Sequence, residues 1–376
     1  RLPEITALAE KLAERYTKGG LMGFASVGAT LEPELYGRGG GLMHIDFGRA
    51  WKKERTEEEK RQDVILYSWD TAPKPGDLER LKADKAKGLF ILGFGPRKMA
   101  ALADRIALCD AWVDNGAGDT DALVDCGTHR AGRANHFTNA VNGWLLIGEF
   151  VGALTRQGKM PPMWKSWAVD GGHEWSDKYF GKTQFHTDFN VRPQPPGEVG
   201  SRYLERIRYM IARLKNTEAP SLRKMAALID TELRQGRKTV IASAGHMPMN
   251  YIAKYDDALW AVNQEIHDNV PSQMQDWQKT PEGALVLRLG DWGLHRSIHE
   301  AFQQKKQRVM LLTGENPRPE YAIPPGYDLR ADFGAAIGDG CVFLDGYPIG
   351  ILPPSGVMQI AAYESINAEV QARQGR

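Results

Sequence analysis

Residues 4–25, EITALAEKLAERYTKGGLMGFA, contain the pattern from which the fold can be predicted. Apolar residues recur at helical spacing as far as Tyr16, and Gly19 and Gly20 then break the helix before a short apolar run. Residues 222–242, LRKMAALIDTELRQGRKTVIA, repeat the same order of helix, glycine and strand. The chain therefore contains two segments that begin alike, which indicates a duplication.

The two segments stay parallel after their first strands. Each continues with a small-residue turn, an apolar strand, a charged helix, another strand, a run ending in Asp-Asn-Gly or Asp-Gly, and an apolar helix. In the first copy these lie at 26–30, 63–67, 77–87, 89–92, 111–116 and 139–154; in the second, at 243–246, 284–289, 294–306, 308–312, 341–346 and 356–370. Strands that alternate with helices in this way predict parallel sheets with right-handed crossovers.

We therefore predict two α/β domains, at residues 1–160 and 201–376, joined by a connection at 161–200. A chain of 376 residues is long enough for two domains that each bury a core. The connection is rich in Pro, Gly, Trp and His, a composition typical of an irregular segment that runs over a surface.

The overall composition restricts the classes of partner. The chain has 48 Lys and Arg against 47 Asp and Glu and no long tract of one charge, so we expect no nucleic-acid partner. No apolar run is long enough to span a bilayer, so we expect a soluble protein without a membrane partner.

The cysteines and the first residue leave the compartment open. Cys109, Cys126 and Cys341 have no metal-ligand spacing and allow at most one intramolecular disulfide. A chain that starts at Arg1 fits either removal of a signal peptide or trimming of the chain, so we expect either the cytoplasm or export.

Several stretches together carry a family resemblance. They are DVILYSWDTAPKPGDLERLKADKAKG (63–88), CDAWVDNGAGDTDALV (109–124), NAVNGWLLIGEFVGAL (139–154), ASAGHMPMNYIAK (242–254) and LDGYPIGILPPSGVMQIAAYESINAEV (344–370). Their ordered series resembles sugar isomerase (SIS) domain proteins, in particular those similar to phosphoheptose isomerases. The resemblance implies two tandem SIS-type domains, each a flavodoxin-like, three-layer unit with a parallel sheet flanked by helices. It also implies a sugar ligand at the strand ends, no cofactor, and SIS domains that pair within the chain or in a homodimer.

The loops after the second strands depart from the family pattern. In the family this loop is rich in Ser and Thr, whose hydroxyls and backbone N–H groups bind a phosphate. The first copy keeps Ser68 and Thr71 but places Trp69 and Asp70 between them, and the second reads GDWG at 290–293. A carboxylate here repels phosphate by roughly 1 kcal/mol or more, whereas carboxylates and indole rings suit neutral sugars. We therefore expect an unphosphorylated or differently substituted carbohydrate.

The expected ligand contacts come from turns and loops at strand ends and from the starts of the last helices. They are Ser26, Thr30, Ser68, Trp69, Asp70, Thr71, Asn115, Thr138, Asn139, Ser243, Asp291, Trp292 and Ser355. Helix capping is the alternative for the polar residues, and core packing is the alternative for the tryptophans.

Isomerisation of an aldose to a ketose needs a group that moves a proton between adjacent carbons. His246 follows the glycine turn of the second copy, and Glu149 and Glu364 lie in the last helices. We expect these three residues to be the candidate catalytic groups. The alternatives are a turn histidine that caps its neighbouring helix and glutamates that face solvent.

We expect the protein to bind carbohydrate, and two functions remain open. One is a sugar isomerase or related acid/base enzyme; the other is a non-catalytic carbohydrate-binding or sensing protein on the same fold. The connection also carries the metal-capable side chains His173, Glu174, His186 and Asp188. Because their spacing fits no metal motif, we expect no metal site.

Overall fold

The computed structural model describes residues 1–28, 30–47, 54–118, 121–127, 130–237, 239–244, 260–266, 271–316, 318–327 and 329–375. Its first part contains α1 (Leu2–Thr17), β1 (Met22–Phe24), α2 (Leu31–Leu35), α3 (Glu57–Lys60), β2 (Val64–Ser68), α4 (Asp77–Ala86), β3 (Phe90–Gly95), α5 (Ala103–Leu108), β4 (Ala111–Asp114), β5 (Ala122–Asp125), β6 (Arg130–Arg133) and α6 (Asn135–Arg156). The remainder contains α7 (Gly172–Tyr179), α8 (Glu198–Arg213), α9 (Ala219–Arg234), β7 (Thr239–Ser243), β8 (Trp260–Glu265), α10 (Pro271–Trp277), β9 (Leu285–Trp292), α11 (Arg296–Gln304), β10 (Arg308–Glu315), β11 (Arg330–Ala336) and α12 (Ser355–Gln374). A π-helical turn, Leu214–Glu218, joins α8 to α9.

The first sheet is parallel throughout. Among the described residues it consists of β1, β2, β3 and β4, in that order. In the register of the sheet, Val64 of β2 lies beside Met22 of β1 and Phe90 of β3. Every residue of β2 is buried, as expected for an inner strand of a parallel sheet that is covered on both faces.

The second sheet is also parallel, and its described strands have the order β11-β10-β9-β7-β8. Numbered from β7, this is the 2-1-3-4-5 order of flavodoxin-like sheets. The winding direction reverses between β7 and β9, where such sheets bind ligands at the carboxyl ends of their strands. The predicted α/β class with parallel sheets is confirmed.

The described chain divides into two compact units that are discontinuous in sequence. The first unit comprises Arg1–Asp121, Ala134–Arg206 and Gly338–Pro353. The second comprises Ala122–Arg133, Ile207–Ile337 and Pro354–Arg376. The hairpin of β5 and β6 therefore belongs to the second unit, and residues 338–353 belong to the first. That residues 1–160 and 201–376 superpose as copies of one domain stays a prediction.

Each unit has its own apolar core. In the first, Ile65, Tyr67 and Ile91 of the sheet pack with Leu81 of α4, and α1 packs against α6. In the second, the core combines sheet residues with side chains of α10 and α11: Val240, Val286, Leu311, Trp277 and Phe302.

Most of the periodicities in the sequence are confirmed. The predicted opening helices correspond to α1 and α9, and the predicted final helices to α6 and α12. The first strands of the two copies correspond to β1 and β7. Among the described residues, no helix is both long and apolar enough to cross a membrane.

One predicted strand is wrong. Residues 341–346 do not join either sheet, and Val342 forms an isolated antiparallel bridge with Ile351. The Cys341 N–H donates to Ile351 O, and the Ile351 N–H donates to Val342 O. The last strand of the second sheet is β11. Its residues alternate between buried and more exposed positions and include Gly334, so its apolar signal is weaker than that of the run CVFL.

The predicted connection is more regular than its composition suggests. It contains α7, and α8 begins at Glu198. Its aromatic residues form a small core in which Trp164 and Tyr179 pack with Met43. The Trp and Tyr content of the connection thus reflects packing within the first unit.

Candidate functional site

Buried polar side chains converge at the carboxyl edge of the first sheet. They lie at or after the ends of β1, β2 and β4 or in the first turns of α6. We call them the Asp70 cluster: Thr30, Ser68, Asp70, Asn115, Asn135, His136 and Asn139. Each is at most 1% exposed. All belong to the first unit. Buried polar groups at this density require partners, and the cluster supplies many of them internally.

The carboxylate of Asp70 is the centre of the cluster. Asp70 Oδ1 accepts hydrogen bonds from Ser68 Oγ at 2.8 Å and from Asn139 Nδ2 at 2.7 Å. Ser68 is the last residue of β2, and Asn139 lies one turn into α6. The loop after β2 is therefore attached to the helix that ends this half of the chain.

His136 lies against the other oxygen of this carboxylate. Its Nδ1 is 3.8 Å from Asp70 Oδ2 and forms a 2.8 Å hydrogen bond with Thr30 Oγ1. Thr30 precedes α2, so the turn after β1 reaches the imidazole. The arrangement brings a carboxylate and an imidazole together in a buried environment, and both are side chains that commonly act as general acids or bases.

Two asparagines hold the start of α6 to the end of β4. Asn115 Nδ2 donates to Asn135 Oδ1 at 2.9 Å, and Asn135 Nδ2 donates to Asp70 O at 3.0 Å. Asp121 caps the helix, because its Oδ1 accepts from the N–H groups of Ala134 and Asn135 at 2.9 and 2.6 Å. A carboxylate at a helix N-terminus is stabilised by the helix dipole.

The turn after β1 closes over Asp70. A Cβ atom on Gly28, whose φ is +83°, would lie 2.3 Å from Ser68 O and 2.6 Å from Asp70 Oδ2. Ser26 in the same turn is exposed and has a φ of +53°, a conformation that few residues other than glycine adopt. The turn that contains Gly28 therefore combines left-handed backbone at two positions with close packing on Asp70.

The cluster also has unused hydrogen-bonding capacity. Asn139 Oδ1 and Asn142 Nδ2 are buried, and neither has a hydrogen-bond partner among the described residues. The two residues lie three apart on α6, so their side chains are neighbours on one face. A ligand hydroxyl both donates and accepts and would satisfy groups of this kind.

Other predicted contacts have local roles instead. Trp69 is buried and stacked between Tyr67 and Trp112, with ring centroids 5.3 and 5.4 Å away. Thr138 Oγ1 donates to Ala134 O within its own helix at 2.8 Å. Thr71 follows Asp70 and is half-buried. The Trp69 indole is thus core rather than an open platform for a sugar.

Glu149 anchors a neighbouring helix. Its carboxylate accepts from Thr6 Oγ1 at 2.9 Å and from the N–H groups of Gly197 and Gly200, both at 2.7 Å. Those amides lie at the start of α8, where helix N–H groups lack partners in their own helix. Glu149 is also ten residues beyond Asn139, about 15 Å along the helix. The structure therefore gives Glu149 a structural role away from the Asp70 cluster.

The second unit holds the remaining predicted residues. Glu364 Oε2 accepts from the N–H of Arg133 at 3.1 Å, which attaches β6 to α12. Ser243 ends β7 and Ser355 begins α12, and both are buried. His246 lies outside the described residues, as do the side chains of Asp291 and Trp292.

The final helices of the two units, α6 and α12, differ at the positions that His136 and Asn139 occupy in α6. Counted from their first residues, Gln359 of α12 corresponds to Asn139 of α6, and Gly356 corresponds to His136. Gln359 Nε2 donates to Gly290 O at 3.3 Å, so the link between helix and strand end persists. Gly356 supplies no imidazole at the position of His136, so the contact of His136 with Asp70 has no counterpart at this position of α12.

Sequence reasoning missed His136, Asn135 and Asp121. His136 and Asn135 lie close before the predicted Thr138 and Asn139, separated from them by Phe137. A polar Asn-His pair at the start of an apolar helix was the available signal. Asp121 precedes the helix by fourteen residues, so its capping role depends on a turn of the chain that periodicity does not reveal.

Two of the metal-capable residues of the connection, His186 and Asp188, are held by hydrogen bonds. His186 Nδ1 is 3.1 Å from Asp188 Oδ1, and His186 Nε2 is 3.1 Å from Tyr347 Oη. Burial lowers the pKa of His186, although Asp188 opposes this effect. Among the described residues, no three His, Cys, Asp or Glu side chains are placed to hold a metal ion.

Comparisons with known proteins give similarity in fold. No family model matches the chain, and no curated protein matches it. A proposed phosphosugar isomerase from Clostridium difficile 630 has a TM-score of 0.55 at 11% identity, covering 100% of this chain and 91% of its own. Similar proteins from Bacillus subtilis (TM-score 0.52, 11% identity, 99% and 95% covered) and Salmonella typhimurium LT2 (0.50, 12%, 98% and 93%) bear the same description. The chain therefore has the two-domain, parallel-sheet fold of the sugar isomerase (SIS) type.

Proposed function

We propose that this protein binds a sugar or sugar derivative at the carboxyl edge of the first sheet and interconverts its aldose and ketose forms. The observation that carries the proposal is the buried approach of His136 to Asp70, 3.8 Å between Nδ1 and Oδ2. The ligand would lie above the Asp70 cluster, with Ser26 at the rim. Movement of the turn that contains Gly28 would admit it to the pair. The structural neighbours are described as phosphosugar isomerases, which supports the same class of reaction.

The reaction needs only proton movement. A proton leaves C2 of the open-chain aldose and returns to C1, while the hydroxyl proton passes from O2 to O1 and the carbonyl moves from C1 to C2. No oxidant or reductant is consumed. In the proposal, His136 and Asp70 carry these protons, and Thr30 orients the imidazole through its 2.8 Å contact with Nδ1.

The position of Asp70 alters the expectation about phosphate. Its Oδ1 is occupied by Ser68 and Asn139, and Gly28 covers Oδ2. The carboxylate is therefore directed into the cluster and away from the rim, which weakens the electrostatic argument against a phosphorylated ligand. We propose a sugar ligand in either form, and the preference for a neutral sugar stays a prediction.

A non-catalytic binding protein is the second candidate. It is favoured by the complete burial of the Asp70 cluster, in which Asp70 Oδ1 already accepts hydrogen bonds from Ser68 and Asn139. Under this alternative the cluster is a rigid floor beneath the ligand, and no residue exchanges protons with it.

The deciding experiment combines binding with isotope exchange. Thermal shift against matched pairs of sugars and sugar phosphates identifies a ligand, since saturation stabilises the folded state by several kcal/mol. NMR in D₂O then measures exchange of the C2 proton with solvent. We expect His136→Gln to reduce exchange by about a hundredfold or more while binding persists, and the exposed His173→Gln to match the parent protein. Binding without exchange would favour the second candidate, and an absence of stabilisation by any sugar would contradict both.

A further inference from the structure

A pocket separate from the Asp70 cluster lies in the second unit, between the π-helical turn, α9 and α12. Its volume is about 280 Å³. Its walls are formed by apolar side chains and its rim by polar ones: Ile211, Leu214, Ala219, Leu222 and Ala361, with Lys215, Arg223, Ser365 and Glu369. Pockets for drug-sized ligands measure roughly 300–1,000 Å³, so this one fits a smaller molecule. We call it the α9–α12 pocket.

The π-helical turn has an identifiable cause. Pro220 has no N–H to donate to the carbonyl of Asn216, and its ring would clash with that carbonyl in a regular helix. The chain widens into a π turn at Leu214–Glu218 and continues directly as α9. Arg213 fixes this geometry, because its guanidinium donates to Asp332 O at 2.8 Å and pairs with Asp332 Oδ2 at 2.7 Å. π turns inside helices are frequent at functional sites.

The rim of the pocket is positively charged. Lys215 and Arg223 are exposed, and neither forms a salt bridge with any described residue. The carboxylate of Glu369 is engaged by Arg373 at 2.8 Å. Two cations therefore remain available beside an apolar wall, a combination that complements an anionic head group attached to an apolar chain.

We propose that the α9–α12 pocket binds a small amphipathic carboxylate. The apolar chain lies against Leu214, Leu222 and Ala361, and the carboxylate lies at Lys215 and Arg223. This site is independent of the proposed sugar chemistry, since none of its residues belongs to the Asp70 cluster or to the first unit.

The test uses octanoate below its micellar concentration, with octan-1-ol and acetate as probes that lack the charge or the chain. Isothermal titration should detect one saturable octanoate site, no acetate binding, and binding of octan-1-ol that is about two- to fivefold weaker, as expected for one exposed ion pair. The double variant Lys215→Gln with Arg223→Gln should remove the preference for octanoate. Lys224→Gln, which changes the adjacent exposed lysine outside the pocket, should preserve it.

Variants that fill the pocket locate the binding. Ala361→Leu should abolish octanoate binding, and Ser365→Trp, which fills the pocket from an exposed position, provides a second test if the first variant is unstable. Octanoate binding that survives both variants, or octan-1-ol that binds as tightly as octanoate, would overturn the proposal. Failure of the parent protein to bind octanoate would also overturn it, and a change of oligomeric state in Ala361→Leu would then indicate that the pocket is an interface between copies of the chain.

Discussion

Asn139 Nδ2 lies 2.7 Å from Asp70 Oδ1, and this hydrogen bond joins the last helix of the first half of the chain to the loop after β2. The two residues are 69 positions apart in sequence and both are buried. In the second unit, Gln359 Nε2 donates to Gly290 O at 3.3 Å. In both units a polar side chain of the final helix is therefore linked to the end of a strand or to the loop after it.

The first prediction concerns that hydrogen bond. Asn139→Leu removes the donor and leaves Asp70 buried with one partner fewer, so the free energy of unfolding should fall by about 1–3 kcal/mol. Thr138→Val is the matched control, since among the described residues this hydroxyl bonds only to carbonyls at the start of its own helix, and the change should cost about 0.5 kcal/mol or less. Urea unfolding of both variants makes the comparison. Equal stability would mean that Asp70 does not depend on Asn139.

The second prediction concerns the turn over Asp70. Gly28→Ala and Gly76→Ala impose the same backbone penalty, about 1–2 kcal/mol for a left-handed residue, because their φ values are +83° and +87°. A methyl group at Gly76 meets no atom within 4 Å, whereas one at Gly28 would overlap Ser68 O. Gly28→Ala should therefore lower the melting temperature further than Gly76→Ala and weaken sugar binding. If the two variants behave alike, the turn is loosely packed on the cluster.

The fold was predictable wherever apolar spacing was strong. The helix at 4–16 and the strand at 239–242 have uninterrupted patterns, and the structure contains both as α1 and β7. β11 was not predicted because its sequence, RADFGAA, contains two charged residues and a glycine and therefore gives a weak apolar signal. Apolar spacing also does not show that residues 122–133 belong to the second unit and residues 338–353 to the first, because this assignment depends on long-range packing.

The site was predictable in part. Thr30, Ser68, Asp70, Asn115 and Asn139 were chosen because they follow strands or begin a helix, and parallel strands bring such positions to one edge. The structure brings these five together. Glu149 and Trp69 were chosen by residue type, and type alone cannot distinguish a ligand contact from a capping carboxylate or a core indole.

The third prediction separates the two roles of Glu149. Glu149→Gln places an amide N–H₂ among donors that need an acceptor, so we expect a loss of about 1–3 kcal/mol in the free energy of unfolding and unchanged C2 proton exchange per folded molecule. Thr6→Val, which removes one donor of the three, should cost about 1 kcal/mol. Thermal unfolding and exchange are measured on the same samples. Full stability with lost exchange would instead support the catalytic role that the sequence suggested.

The fourth prediction is a pH dependence from His44 in the first unit. Burial lowers the pKa of its imidazole to about 4, from about 6.5 in an unfolded chain. Its Nε2 accepts a 3.0 Å hydrogen bond from the N–H of Gly181, and protonation would remove that acceptor. Because the folded state disfavours the proton, the contribution to stability is complete above pH 6.5 and is lost as the pH falls towards 4.

The change is large enough to measure. A shift from 6.5 to about 4 corresponds to about 3 kcal/mol, so the transition in which the first unit unfolds should lose up to about that much between pH 7 and pH 4. His44→Gln keeps an acceptor but does not titrate, so its urea midpoint should fall less over this range. His173→Gln removes an exposed histidine instead and should follow the parent protein. The carboxylates that also titrate at low pH are the same in all three proteins and cancel in the comparison. Parallel pH profiles for His44→Gln and the parent protein would show that the His44 imidazole is accessible to protons without unfolding.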